Sequence, residues 1–210
     1  DVLLSRMKTH ITTLMTRYRG RIKGWDVVSE ALNEDGTYCN NLFYKIVGKD
    51  YVRLAFEMAH EADSTAELYY NDCLIENPAK RIGVIRLIKD LKKENIPITA
   101  VGIKGHMLLD SPTVEQLDTT INMISNLGLK VQIIELDVSV LPFPTENKKA
   151  DYKSDTKLNS YSKRLPNSIA HKLNERYKDI FAVLIKNSSR ISMVTLWGLS
   201  DKDSRRNDWP

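Results

Sequence analysis

Short apolar strands and amphipathic helices alternate along this chain, and no other feature constrains its fold as much. Residues 2–19 read as a helix, with Leu3, Leu4, Met7, Ile11, Leu14, Met15 and Tyr18 on one face. Gly20 ends it. Strands are expected at 22–28, 67–71, 98–103, 131–138 and 191–197. The helices between them are expected at 51–61, 77–95 and 111–128, with a last one running from Ile169 through Leu173, Tyr177, Ile180 and Phe181 to Leu184. Leu54, Ala55, Met58 and Ala59 point the first of these inward; Ile82, Ile85, Ile88 and Leu91 do so for the second. Asn77-Pro78 and Ser111-Pro112 are the start signals, and Gly128 is the expected C-cap. A polar loop over 145–165 carries five lysines, Lys148, Lys149, Lys153, Lys157 and Lys163. Parallel strands need crossovers of about this length. The alternation therefore predicts an α/β parallel sheet, either open and doubly wound or closed into a barrel.

Composition narrows the function. The 210 residues hold 31 Lys+Arg against 27 Asp+Glu, a net charge of +4 that is spread along the chain. Basic and aromatic residues do not interleave into a nucleic-acid face, so no nucleic-acid partner is expected. Neither GxGxxG nor GxxxxGK[ST] occurs, which argues against a nucleotide site. No apolar run approaches the roughly 20 residues that span a bilayer. No basic-then-apolar leader is present, so a signal peptide is expected to be absent from this chain or already removed. Cys39 and Cys73 make neither a disulfide framework nor a zinc site. No metal or cofactor is expected.

The strands end in residues that their apolar bodies do not explain. These are Trp25-Asp26-Val27-Val28-Ser29-Glu30, Tyr70-Asn71-Asp72, Lys104-Gly105-His106, Glu135-Leu136-Asp137 and Trp197-Gly198-Leu199. In a parallel barrel the C-terminal strand ends share one rim, where catalytic residues gather. Two glutamates, a histidine and an indole there suit glycosidic hydrolysis. One carboxyl group donates a proton to the leaving oxygen; the other, ionised, attacks the sugar carbon or activates water. Taken singly, the residues stay open to plainer readings. Glu30 also fits a solvated first-turn glutamate, His106 a structural histidine, Trp25 and Trp197 core residues, and Asp72 a turn cap. Glu135 resists this, because a carboxylate inside an apolar strand costs several kcal/mol unless it is paired.

Together the motifs resemble a known family. Arg17-Tyr18-Arg19-Gly20-Arg21-Ile22 and Trp25-Asp26-Val27-Val28-Ser29-Glu30-Ala31 are similar to the RYxGxI…WDVVNEA segment of family 10 glycoside hydrolases, the retaining endo-β-1,4-xylanases. The likeness continues, in order, through Tyr69-Tyr70-Asn71-Asp72, Gly102-Ile103-Lys104-Gly105-His106, Ile134-Glu135-Leu136-Asp137 and Leu196-Trp197-Gly198. The resemblance implies a (β/α)8 barrel that cleaves xylan or xylo-oligosaccharides without a cofactor. It implies Glu30 as acid/base, Glu135 as nucleophile, His106 bonded to the nucleophile, Asp137 as a supporting partner, and Trp197 beneath the sugar. A polymeric substrate implies a secreted or surface location.

The chain departs from the family pattern at defined places. Ser29 stands where the family usually has Asn, Lys104 where it has Gln, and Cys73-Leu74 where it has Tyr-Asn. Arg205 stands where a second indole is usual. Ser29, Asn71, Lys104, Trp197 and Arg205 are the expected substrate-contacting positions. No motif of the family's first three strands occurs. The five strands therefore correspond to the fourth through eighth of the barrel, in one catalytic-domain fragment spanning 1–210. Its expected partners are the N-terminal part of the same barrel or an inserted carbohydrate-binding module. The clustered departures leave an alternative, a catalytically impaired carbohydrate binder.

Overall fold

A computed structural model describes residues 2–141, 160–161 and 164–199. α1 (Val2–Arg17) leads into β1 (Gly24–Ser29), then α2 (Leu42–Val47), a 3-10 turn (Gly48–Asp50) and α3 (Tyr51–Ala62). β2 (Glu67–Cys73), α4 (Pro78–Lys93), β3 (Ala100–Leu108) and α5 (Val114–Ser125) follow. β4 (Lys130–Ser139), α6 (Asn167–Lys186) and β5 (Ile191–Leu196) complete the described elements.

The five strands form one parallel sheet in the order β1-β2-β3-β4-β5. A doubly wound sheet reverses its order at a switch point. This sheet does not reverse; each strand adds on the same side as the last, which is how a (β/α)8 wall is laid. β1 and β5 each leave one edge unpaired among the described residues. The core runs from Tyr70, Ile103, Ile133 and Leu136 in the strands to Phe56, Ile88, Leu117, Ile121 and Ile124 in the helices, all fully buried. β5 differs. All of it beyond Ile191 is exposed, including Met193, Val194 and Leu196. Among the described residues no helix is long and apolar enough to cross a membrane.

Several elements differ from the sequence expectation for identifiable reasons. β2 and β3 run on past Asn71 and Ile103, so their polar residues lie inside the ladder rather than after it. β1 begins at Gly24, not at Ile22. α1 stops at Arg17, and of its stripe Met15 alone is fully buried. α4 starts as expected, with the Asn77 side chain accepting the Ala79 N–H and Pro78 in the first turn. Its buried face is Gly83, Val84, Leu87, Ile88 and Leu91, while Ile82 is 60% exposed. The loop after β1 causes this: Gly36 lies so close that a Cβ on Gly83 would stand 2.6 Å from the Gly36 Cα. The contact turns the helix towards Gly83.

α5 begins at Val114 rather than at Ser111-Pro112. A capping box decides the start, with Thr113 Oγ1 accepting the Gln116 N–H and the Gln116 side chain accepting the Thr113 N–H. Asn126 caps its other end, and Gly128 comes two residues later at φ 78°. On α6, Ile180 and Leu184 are buried but Phe181 is 38% exposed, lining a groove with Met193 and Val194 of β5. α2 was not foreseen; six residues are too few to show a period. Its Phe43 stacks on Tyr51, and Tyr44 stacks on Tyr38. The lysine-rich loop over 145–165 lies mostly outside the described residues.

Candidate active site

The sheet loses its regular register within three strands, and the chemistry-bearing side chains sit at or beside those breaks. In β1 the register shifts between Asp26 and Val28, and Glu30 follows the strand directly. The Glu30 N–H donates to the Asn71 carbonyl at 2.9 Å, which fixes the turn. Between Lys104 and His106 the single residue Gly105 of β3 stands opposite two of β4, Glu135 and Leu136, which form a bulge. A Cβ on Gly105 would lie 3.2 Å from the Leu136 Cα, a tight contact that glycine avoids where β3 and β4 approach. In β4 the pairing with β5 skips from Ile133 to Leu136, and Glu135 falls in the gap. Glu30 and Glu135 both have positive φ, 55° and 54°. A non-glycine residue held there costs about 1–3 kcal/mol and persists only where its surroundings enforce it.

Lys104 joins the two glutamates. Its Nζ donates to Glu30 Oε1 at 2.7 Å and lies 3.5 Å from Glu135 Oε1. Burial acts to lower the lysine pKa, but the bonds to Glu30 and Glu135 outweigh it, and the ammonium is held above its ordinary value. Two oxygens on one nitrogen at these lengths are closer than the roughly 6.5–9.5 Å of carboxyl groups that leave room for a water.

His106 stands between two acids. Its Nε2 is 2.9 Å from Glu135 Oε2, and its Nδ1 is 2.9 Å from Asp137 Oδ1. A neutral ring has one N–H and donates to one of them; donating to both takes the imidazolium. The ring pins the Glu135 carboxylate wherever Nε2 carries the N–H, since an ionised carboxylate only accepts. The Trp197 indole meets the His106 ring edge-on, centroids 6.2 Å apart, and is itself 43% exposed. Its N–H in the backbone donates to Leu136 O at 3.0 Å, tying the indole to the strand that carries Glu135.

The structure thus gathers Glu30, Lys104, Glu135, His106, Asp137 and Trp197 at one end of the sheet. Ser29 is exposed at the last position of β1. Asn71 does not reach the cleft surface. It is 2% exposed beneath Gly102, where a Cβ would lie 2.2 Å from its Oδ1, and that oxygen has no hydrogen-bond partner among the described residues. Asn71 pairs with Gly102 in the ladder, and the missing Cβ there leaves the space its amide occupies. Arg205 lies outside the described residues.

Asp72 is not the turn cap that its position suggests. It is fully buried and bonds Lys80 Nζ at 2.7 Å, the Tyr70 hydroxyl at 2.5 Å and the Cys73 N–H at 2.9 Å. Lys80 also donates to Cys73 Sγ at 3.6 Å. Sequence reasoning missed this pair, and the buried Glu76 beside it. A carboxylate following Tyr70 in an apolar strand was the available signal for Asp72; Lys80 gave none, because its partner lies across a turn. Burial pushes the Glu76 carboxyl up to about 7.

This assembly can be set beside known proteins. The model of glycosyl hydrolase family 10 matches residues 1–210. The chain belongs to that family. Family members of known activity are similar throughout its length. Endo-1,4-beta-xylanase A of Xylanibacter ruminicola is 41% identical over 214 residues, covering 100% of this chain and 58% of that protein. Among solved structures, a family 10 endoxylanase retrieved from sugarcane soil metagenome superposes with a TM-score of 0.90 at 39% identity, covering 99% of this chain and 60% of that one. The intracellular xylanase of Thermoanaerobacterium saccharolyticum, solved as a variant with xylotriose, gives 0.82 at 32%, with 98% and 59% covered. The family 10 chain described here therefore spans less than two thirds of each of these relatives. Their likeness in fold makes its five-stranded sheet a part of the (β/α)8 wall.

Proposed function

We propose that the protein is an endo-β-1,4-xylanase that cleaves xylan with retention of configuration. The observation that carries this reading is the approach of Glu30 and Glu135 to one lysine nitrogen, 2.7 and 3.5 Å away. That bound fits the roughly 5–5.5 Å pair of a double displacement better than the wider pair of an inverting enzyme. In the first step a Glu135 oxygen bonds to the anomeric carbon. The glycosidic C–O bond breaks, and Glu30 gives its proton to the departing oxygen. In the second step a water oxygen bonds to the same carbon, Glu30 takes the water proton, and the ester to Glu135 breaks. His106, held by Asp137, keeps the attacking carboxylate in place. The exposed Trp197 face offers an apolar floor for a sugar ring, and Ser29 offers a hydroxyl beside Glu30.

The similar xylanases, one of them solved with xylotriose, support xylan and its oligosaccharides as substrate. We further propose that the open edges of β1 and β5 pair with the remaining strands of the same barrel, and that a polymeric substrate places the enzyme outside the cell or on its surface. The test of the chemistry is trapping. A fluorinated xylobioside with a dinitrophenyl leaving group, given to the whole protein, is expected to label Glu135, as read by peptide mapping. A label on any other residue of an active preparation would overturn the assignment.

A further inference from the structure

Glu30 needs more than its strand to hold it. β1 ends at Ser29, and the bond from the Glu30 N–H to the Asn71 carbonyl fixes the residue on its N-terminal side. Its φ of 55° is a conformation that persists only where the surroundings enforce it. On the C-terminal side residues 31–39 do so. They fold back as a short hairpin. The Cys39 N–H donates to the Ala31 carbonyl at 2.8 Å, Leu32 bridges Tyr38, and the Asn33 N–H donates to the Thr37 carbonyl at 2.7 Å. Ala31 and Leu32 at the base are buried.

The tip of this hairpin is seated on α4. Gly36 is buried there between exposed Asp35 and Thr37. It meets one stripe of the helix, at positions 79, 83 and 86. A Cβ on Gly36 would lie 2.7 Å from the Ala79 carbonyl oxygen and 3.1 Å from the Gly83 Cα, and the Gly36 carbonyl accepts a bond from Arg86 Nη2 at 2.7 Å. Asp35 braces the tip from within, accepting from the Thr37 N–H at 2.9 Å and from its hydroxyl at 2.6 Å. A braced hairpin passes a shift at its tip to its base, where Ala31 follows Glu30 directly. The bond from the Arg86 guanidinium is charged and directional, so it fixes the tip more firmly than apolar contact does. We propose that Arg86 is a positioning residue for Glu30: by pinning the hairpin to α4 it sets where the Glu30 carboxyl stands against the glycosidic oxygen. This rests on the role of proton donor given above to Glu30.

The test compares two substrates on the whole protein. Cleavage of xylotetraose needs a proton on the departing oxygen; dinitrophenolate departs from dinitrophenyl β-xylobioside as a stable anion without one. Glu30→Ala is the reference. It is expected to lose about a hundredfold or more in kcat/KM for xylotetraose and to keep that for the dinitrophenyl substrate. Arg86→Met removes the bond and keeps the apolar stem. It is expected to lower kcat/KM for xylotetraose about tenfold, less than the roughly hundredfold that a displacement of about 1 Å can cost, and to leave the dinitrophenyl substrate unchanged. Arg86→Lys, which keeps a charged donor, is expected to recover most of the loss. Arg86→Ala repeats the test should the methionine variant melt early. A merely structural role would lower the melting temperature and leave the ratio of the two rates flat; that result, or a fall in both rates together, overturns the proposal. The reference variant separates the two ideas. If Glu30→Ala discriminates between the substrates and Arg86→Met does not, Arg86 alone loses its role. If Glu30→Ala does not discriminate, the assignment of Glu30 falls first and this proposal with it.

Discussion

Glu30 and Glu135 share a backbone conformation that few glutamates adopt, with φ of 55° and 54°. Glu30 follows a break in sheet register, Glu135 lies inside one, and each reaches Lys104. The strain is thus located where the carboxylates must converge. Alanine in that conformation carries a Cβ penalty that glycine avoids, about 1 kcal/mol. Glu135→Gly is therefore expected to melt about 2–4 °C above Glu135→Ala, although both lose the carboxylate. Thermal unfolding by circular dichroism checks this; equal melting would mean that the positive φ carries no cost.

The ion pair under the site makes a second prediction. Asp72 and Lys80 are both buried, their side chains 0% and 3% exposed. Asp72→Asn would leave the Lys80 charge without its partner, a loss of about 3–5 kcal/mol. Adding Lys80→Met to it removes the stranded charge and is expected to recover much of that loss. Urea unfolding of the two variants decides the matter: a double variant as unstable as the single would refute the pairing argument.

Glu76 predicts a dependence on pH. Burial pushes its carboxyl from 4.5 to about 7 in the folded protein. Between those values the folded state holds a proton that the unfolded state has released, so stability falls as pH rises through this window. The loss is complete above the folded value and amounts to about 3 kcal/mol. Glu76→Gln carries no such proton. Its stability relative to wild type is expected to grow by about that amount between pH 4.5 and pH 7. Denaturant titrations across the window, giving parallel curves for the two proteins, would contradict this.

Gly83 sets two effects against each other. Alanine is the better helix former by about 1 kcal/mol. Its Cβ, however, would lie 2.6 Å from both the Cα and the carbonyl oxygen of Gly36, which are backbone atoms and cannot rotate away. Overpacking of this kind costs about 1–3 kcal/mol. Gly83→Ala is expected to be destabilised on balance, as measured by the urea midpoint. A gain would show that the loop after β1 yields freely.

The alternation that predicted a parallel sheet was legible because period-two and period-3.6 patterns are carried by side chains along the chain itself. The choice between barrel and doubly wound sheet came from the resemblance of the motifs, not from the alternation itself. It rests on strand order, which depends on contacts between residues far apart in sequence. Glu30, Glu135 and His106 were legible as polar residues in apolar strands. The His106 bond to Glu135 and the support from Asp137 followed from the family motifs; strict alternation alone does not foretell them, because bulges at Val27 of β1 and at Glu135-Leu136 of β4 turn the side chains. β2 extends to Cys73, so Asn71 and Asp72 lie inside the strand on opposite faces: Asn71 beneath Gly102 of β3, Asp72 against Lys80 of α4. Ile82 was assigned to the wrong face because the loop at Gly36 contributes no periodic signal.

The breaks in register at Asp26/Val28, Lys104/His106 and Ile133/Leu136 have a consequence for motion. A ladder that skips a residue leaves local amide groups with poorer protection than the regular pairs around them. The residues around these breaks should therefore exchange their amide hydrogens for deuterium earlier than the regularly paired residues of the same strands. Seen on that clock, the reactive groups stand at the softest points of the protein's stiffest element.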